Sequence, residues 1–268
     1  MAEDTELTFW EHLDILRAVI IKILVVGLLF GLVAFCFKDQ LFDIVLAPKS
    51  SKFISYRLMG VEPFDIKLVN IGITEQFMIH MKTALGFGLL GASPYILYQL
   101  YQFIAPALYN RERHYAVKIV LSGYIMFLVG VLVNYFIIFP LTVRFLGTYS
   151  VSEEVGNLLS LQSYMDTLLM MSIVFGVVFE IPVISWLLAI FGLLKAEWMR
   201  KFRKQAFVVI LIIAAVITPT SDVFTLTVVT LPIWLLYESS ILIVAMTNKA
   251  DKKALESDDA TEVAATTE

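Results

Sequence analysis

Lys82 and Arg111 bracket a stretch in which no residue carries a charge. That run exceeds the ~20 apolar residues an α-helix needs to cross about 30 Å of hydrocarbon. A helix that is apolar all round must lie in a large protein core or in a bilayer, and composition decides between the two. Of 268 residues, 59% are hydrophobic and 16% charged, and the mean hydropathy is +0.82. So little polar surface cannot coat a soluble globule, which predicts an all-α integral membrane protein.

Charge-free intervals locate six expected spans, roughly 18–37, 74–109, 118–143, 163–194, 205–218 and 223–246, within a membrane domain covering 1–247. Lys22 lies close enough to one end of the first to snorkel. Thr74 and Glu75 suit the start of the second. At 1.5 Å per residue its apolar part measures roughly 42 Å, so it should tilt or kink, with Pro94 the obvious place. Thr218-Pro219-Thr220-Ser221-Asp222 turns the last two spans into a tight hairpin of short helices. The tail 248–268 is rich in Ala, Thr, Asp and Glu without apolar periodicity, which predicts a disordered cytoplasmic segment.

Lys and Arg fall unequally in the connections. Arg17, Arg111, Arg113, Lys118, the cluster Lys195 to Lys204 and Lys249, Lys252 and Lys253 share one side. Lys38, Lys49, Lys52, Arg57, Lys67 and Arg144, a smaller set, share the other. The richer side is cytoplasmic, so both termini are expected there. The acidic amino terminus (Glu3, Asp4, Glu6, Glu11, Asp14) lacks the positive region of a cleavable signal peptide, so the first span should itself direct insertion.

Several function classes lack their chemistry. Cys36 is the single cysteine and His12, His80 and His114 fall on separate elements, so no metal site or internal disulfide is expected. There is no phosphate-binding glycine loop and no nucleophile elbow. With a net charge of −4 and cations confined to short loops, nucleic acid is not an expected partner. Neither an enzyme nor a cofactor is expected.

Costly residues remain. Glu180 sits midway along its charge-free interval, where an ionised group costs at least ~2.5 kcal/mol. It must be protonated, paired or hydrated: bonded to a neighbouring helix, or facing a pathway. Pro182 frees a carbonyl about one turn earlier. Lys82 would either snorkel or neutralise an acid, and Glu238 reads as a boundary residue. Glu112, between Arg111 and Arg113, is by spacing alone a solvated loop ion pair. Yet Phe103 and Glu112 together offer an apolar face and an anion, which a guanidinium can use by stacking and by a bidentate contact.

The segment Phe103-Ile104-Ala105-Pro106-Ala107-Leu108-Tyr109-Asn110-Arg111-Glu112-Arg113 resembles the cytoplasmic-loop signature of the TatC family, the receptor subunit of the bacterial twin-arginine protein translocase. Ser93-Pro94 and Leu97-Tyr98-Gln99 precede it. Phe175-Gly176-Val177-Val178-Phe179-Glu180-Ile181-Pro182 is similar to the family's fourth-span motif. Thr218-Pro219-Thr220-Ser221-Asp222-Val223-Phe224 is close to its hairpin motif, and Ala47-Pro48 to its first external loop. The resemblance covers roughly residues 8–247. One position departs: the amino-terminal signature has a glutamate where His12-Leu13-Asp14-Ile15-Leu16-Arg17 has Ile15. Asp14 lies about 100° away on a helix and cannot simply replace it. Either the segment is rotated or frayed, or the acid is less necessary here.

The resemblance implies a concave six-helix bundle in the bacterial cytoplasmic (inner) membrane. It implies recognition of the paired arginines of signal peptides on folded cargo by Phe103, Glu112, Arg17 and Asp14, together with Pro106, Leu108 and Tyr109. Glu180 and Gln99 would form an intramembrane polar site facing partner helices, and Pro48, Pro94, Pro182 and Asp222 would be structural. Implied partners are single-span TatA/TatB-type subunits, further copies of the chain and membrane lipid, with export driven by the proton gradient. The competing expectation is a proton-coupled secondary transporter using Glu180, which should show inverted repeats with paired broken helices; no second segment resembles the fourth span.

Overall fold

The computed structural model describes residues 9–64, 66–104, 116–149, 158–218 and 222–266. The described chain is almost entirely helical and divides into two compact units, Met1–Ile125 with Val143–Leu169, and Met126–Thr142 with Met170–Glu268.

In the first unit, α1 (Phe9–Phe35) packs antiparallel on α4 (Glu75–Ile104). Glycines set the approach: a Cβ on Gly88 would stand 2.5 Å from the Gly31 nitrogen and 2.8 Å from the Gly27 carbonyl oxygen. In lipid there is no hydrophobic drive between helices, so such backbone-to-backbone packing supplies the attraction. α4 runs unbroken through Pro94, the expected kink position. Proline has no N–H for the carbonyl of Leu90 four residues back, and the Ser93 hydroxyl donates to it instead at 2.7 Å.

The connection 38–73 is structured. It holds α2 (Lys38–Leu46), a 3-10 turn at Ala47–Lys49, α3 (Ile54–Leu58) and β1 (Leu68–Val69). Pro48 is buried, and its carbonyl accepts from the buried Tyr56 hydroxyl at 2.9 Å. Burial pushes that hydroxyl's pKa above the ordinary tyrosine range, against the opposing pull of Arg144. β1 pairs in parallel with β2 (Leu159–Ser160). Glu75 fastens the two: its carboxylate accepts from the backbone nitrogens of Ile71 (3.0 Å), Gly72 (2.8 Å) and Gln162 (3.0 Å), and from the Ser160 hydroxyl (3.3 Å). Lys82 meets Asp166 at 2.8 Å, so of its two expected roles it takes the neutralising one.

Beyond residues 105–115 come α5 (Ala116–Val133), a π turn over Asn134–Ile138 and α6 (Phe139–Thr148). After β2 follow α7 (Leu161–Val178), α8 (Ile181–Ile190), α9 (Ala196–Lys201), α10 (Arg203–Ile217) and α11 (Val223–Thr266). In the second unit Gly130 meets α7, where a Cβ would stand 2.5 Å from the Phe175 carbonyl oxygen, and Gly176 receives the Phe127 ring. Ala189, Ala196, Met199, Ile241 and Val244 form a core joining α8, α9 and α11. The Asp222 carboxylate accepts from the Thr225 nitrogen at 2.7 Å, which makes it the N-cap of α11. Glu238 is ion-paired with Arg203 at 2.6 Å.

Four described segments are long and apolar enough to cross a membrane, Leu13–Phe35, Val117–Thr148, Leu161–Ile190 and Val223–Lys249, against six expected. The other two correspond to α4, whose apolar run is diluted by Gly, Tyr and Gln, and to α10, with only 15 residues. The span expected over 163–194 is broken at Phe179-Glu180 and ends at Ile190. The last helix continues through the tail expected to be disordered, because Ala250, Lys252, Lys253, Ala254, Leu255 and Glu256 extend a helix already nucleated.

Candidate functional site

The carboxyl end of α4 lies against the first turns of α1 and α5, and the three enclose a groove of about 880 Å³. α1 contributes Ile15, Ala18, Val19 and Lys22; α4 contributes Pro94, Tyr98, Gln99, Tyr101, Gln102 and Phe103; α5 contributes Val117, Val120, Leu121 and Tyr124. Two amide-to-phenol bonds brace the α4 wall, each spanning one helical turn: Gln99 Nε2 donates to Tyr95 Oη and Gln102 Nε2 to Tyr98 Oη, both at 2.7 Å. Gln99 is buried and Phe103 half-buried at the groove's end.

Asp14 and Arg17 are exposed on α1, neighbours in sequence of the groove residues Ile15 and Ala18. Residues 9–35 are continuous helix, so this segment is not frayed. Ile15, where the family pattern has a glutamate, presents an apolar side chain to the groove wall. Pro106, Leu108, Tyr109 and Glu112 lie outside the described residues.

Glu180 belongs to the second unit. It follows the end of α7, half-buried, directly before α8 and two residues before Pro182 in that helix's first turn. Its backbone is satisfied, with its nitrogen donating to Val177 O at 3.1 Å and its carbonyl accepting from Ile184 N at 2.9 Å. Its Oε1 is buried without a hydrogen-bond partner among the described residues. Pro182, which has no N–H to donate, follows the break between α7 and α8.

Asn134 escaped the reading of the sequence, which followed charges. It is fully buried in the π turn, donates from Nδ2 to Ser172 Oγ at 2.9 Å, and leaves Oδ1 without a partner among the described residues. A search for Asn and Gln inside charge-free runs would have found it, since buried amides and π turns both recur at functional positions.

The sequence model of the family described as Sec-independent protein translocase protein (TatC) matches residues 11–232. The chain is a member of the TatC family. Among its relatives, the Sec-independent protein translocase protein TatC of Koribacter versatilis is 35% identical over 236 residues, 88% of this chain and 84% of the relative. The TatC of Carboxydothermus hydrogenoformans is 33% identical over 241 residues, 90% and 94% of the two chains. A crystal structure of the twin arginine translocase receptor TatC superposes with a TM-score of 0.75 at 33% identity, covering 88% of this chain and 99% of that one. This TatC-family chain is therefore a subunit of the Sec-independent protein translocase, a membrane transport component, and its helices are those of a membrane protein.

Proposed function

We propose that this chain is the receptor and core subunit of a twin-arginine translocase. It binds the Arg-Arg signal peptides of folded proteins. With single-span TatA/TatB-type subunits and further copies of itself, it mediates their proton-gradient-driven export across the bacterial cytoplasmic membrane, with both of its own termini in the cytosol. One observation carries the reading: Phe103 and the α1 turn holding Ile15 and Ala18 wall a single groove, although they are far apart in sequence. Arg17 lies within that turn, so Phe103, the first residue of the matched loop motif, and the amino-terminal motif border one groove. Two adjacent guanidiniums need an acceptor and a stacking surface at a rim where cargo stays in water. Glu112 and Phe103 supply them, and the planar fork explains why lysine is a poor substitute. Glu180, whose Oε1 has no partner among the described residues, offers a hydrogen bond to a polar group on a partner helix.

Glu112→Ala is expected to weaken binding of an Arg-Arg peptide about tenfold or more, the scale of losing a charge-assisted pair, while the protein remains folded in membranes. Crosslinking a photoreactive peptide to wild type and variant measures it. Undiminished crosslinking to the variant would remove Glu112 from the site.

A further inference from the structure

We infer that α9 is an interfacial seat for anionic phospholipid, with Arg200, Lys201 and Lys204 meeting the phosphates and Trp198 and Phe202 lying among the upper acyl carbons. The depth of α9 is the first support. Its buried residues, Ala196 and Met199, share a core with Ile241 and Val244 on the flank of α11, and the Tyr237 hydroxyl donates to the Met199 carbonyl at 2.8 Å. α9 therefore lies beside the shaft of α11 and not across its end, within the apolar stretch Val223–Lys249. Taking Val223 as one edge of the bilayer core, Tyr237 is about 21 Å and Val244 about 32 Å along at 1.5 Å per residue. A core about 30 Å thick thus has its other edge at the level of α9.

The face turned away from α11 joins aromatic surface to positive charge. Trp198 and Lys201, three residues apart, are neighbours on that face. Trp198 is 58% exposed and Phe202 51%, and Lys201 Nζ stands over the Phe202 ring at 6.0 Å. Lys195, Arg200 and Lys204 are exposed beside them, as is one carboxylate, Glu197. Arg203 is neutralised by Glu238, but among the described residues Lys195, Arg200, Lys201 and Lys204 form no ion pair. A surplus of cations at the edge of a bilayer draws anionic headgroups, and amphipathic aromatic rings favour the same level. A free phosphate or a soluble acidic partner would meet the cations and leave the rings in water. A zwitterionic lipid would bring its own cation against them.

The inference rests on the membrane setting and not on peptide recognition, and its readout is bound lipid. The full chain, purified in detergent, is titrated with dioleoyl phosphatidylglycerol or dioleoyl phosphatidylcholine, and occupancy is read by native mass spectrometry. Phosphatidylglycerol is expected to bind about fivefold or more tightly. Arg200→Gln combined with Lys201→Gln should erase most of that preference, whereas Arg200→Lys combined with Lys201→Arg should keep it. An unchanged thermal midpoint shows that each variant is folded. The full chain in vesicles then locates the lipid. The fluorescence that Trp198→Phe removes should be quenched more by brominated phosphatidylglycerol than by brominated phosphatidylcholine at equal mole fraction, and this comparison decides alone if the glutamine variant fails to fold. Equal binding of the two lipids by wild type, an undiminished preference in the folded glutamine variant, or equal quenching of Trp198 would overturn the assignment. So would displacement of the lipid by millimolar inorganic phosphate or by a soluble poly-glutamate peptide, because the surface would then be a site for free anions or for an acidic protein.

Discussion

Gly88→Ala lowers the stability of the first unit by about 2 kcal/mol or more, although alanine is the better helix former. Two effects oppose each other. Replacing a mid-helix glycine by alanine gains roughly 0.5–1 kcal/mol from backbone entropy. The added Cβ would stand 2.5 Å from the Gly31 nitrogen, 2.6 Å from the Gly31 Cα and 2.8 Å from the Gly27 carbonyl oxygen. All three are backbone atoms, so no side-chain rotation relieves the clash. α1 and α4 must separate, and overpacking of this kind costs typically 1–3 kcal/mol, occasionally more. The loss is amplified in lipid, where packing is the main attraction between helices. A drop in the thermal midpoint of the detergent-solubilised chain checks it. Gly60→Ala is an unsuitable comparison because Gly60 has a positive φ of 62°; Gly72→Ala, where the nearest contact is the Glu75 side chain at 3.3 Å, is the milder reference.

The second large effect is expected at Gly130→Ala, and it reaches function. Its Cβ would lie 2.5 Å from the Phe175 carbonyl oxygen and 2.8 Å from the Phe179 Cβ. Both belong to the segment that ends in Glu180, with Phe175 fully buried. α7 has to shift away from α5, and Phe179, the residue before Glu180, moves with it. A displacement of even 1 Å at a binding group can cost far more than the local strain. Export of a folded twin-arginine cargo is therefore expected to fall severalfold or more, together with a destabilisation of about 1–3 kcal/mol. Glu180→Gln serves as the control that leaves the helix contact intact. If Gly130→Ala exports cargo at the wild-type rate, the position of Glu180 does not matter to transport.

The helices were legible because the bilayer makes charge costly: the gaps between charged residues coincide with the apolar cores of α1, α5 with α6, α7 with α8, and α11. Their interruptions were not. At Pro94 the Ser93 hydroxyl meets the orphaned Leu90 carbonyl, and nothing in the spacing of apolar residues reveals that bond. Pro182 accompanies a break: it has no N–H for the Val178 carbonyl four residues back, where α7 ends. Gly88 and Gly130 owe their identity to a partner helix far away in sequence. A single chain read along its length shows a glycine in a helix and not the backbone it must admit. The groove is of the same kind: Ile15, Lys22, Phe103 and Leu121 become neighbours only when three helices pack. Phe103 was recognisable from the loop motif that follows it, whereas Lys22 carried only the signal of a snorkelling lysine.

Receptor function depends most directly on discrimination between arginine and lysine. A labelled signal peptide carrying Arg-Arg and its Lys-Lys counterpart are titrated against the full chain in detergent, with Glu112→Ala alongside. A recognition site for the guanidinium fork should bind the Arg-Arg peptide at least about tenfold more tightly, or ~1.4 kcal/mol, and Glu112→Ala should lose most of that preference. Equal affinities for the two peptides on folded wild-type protein would contradict the assignment of this chain as the twin-arginine receptor.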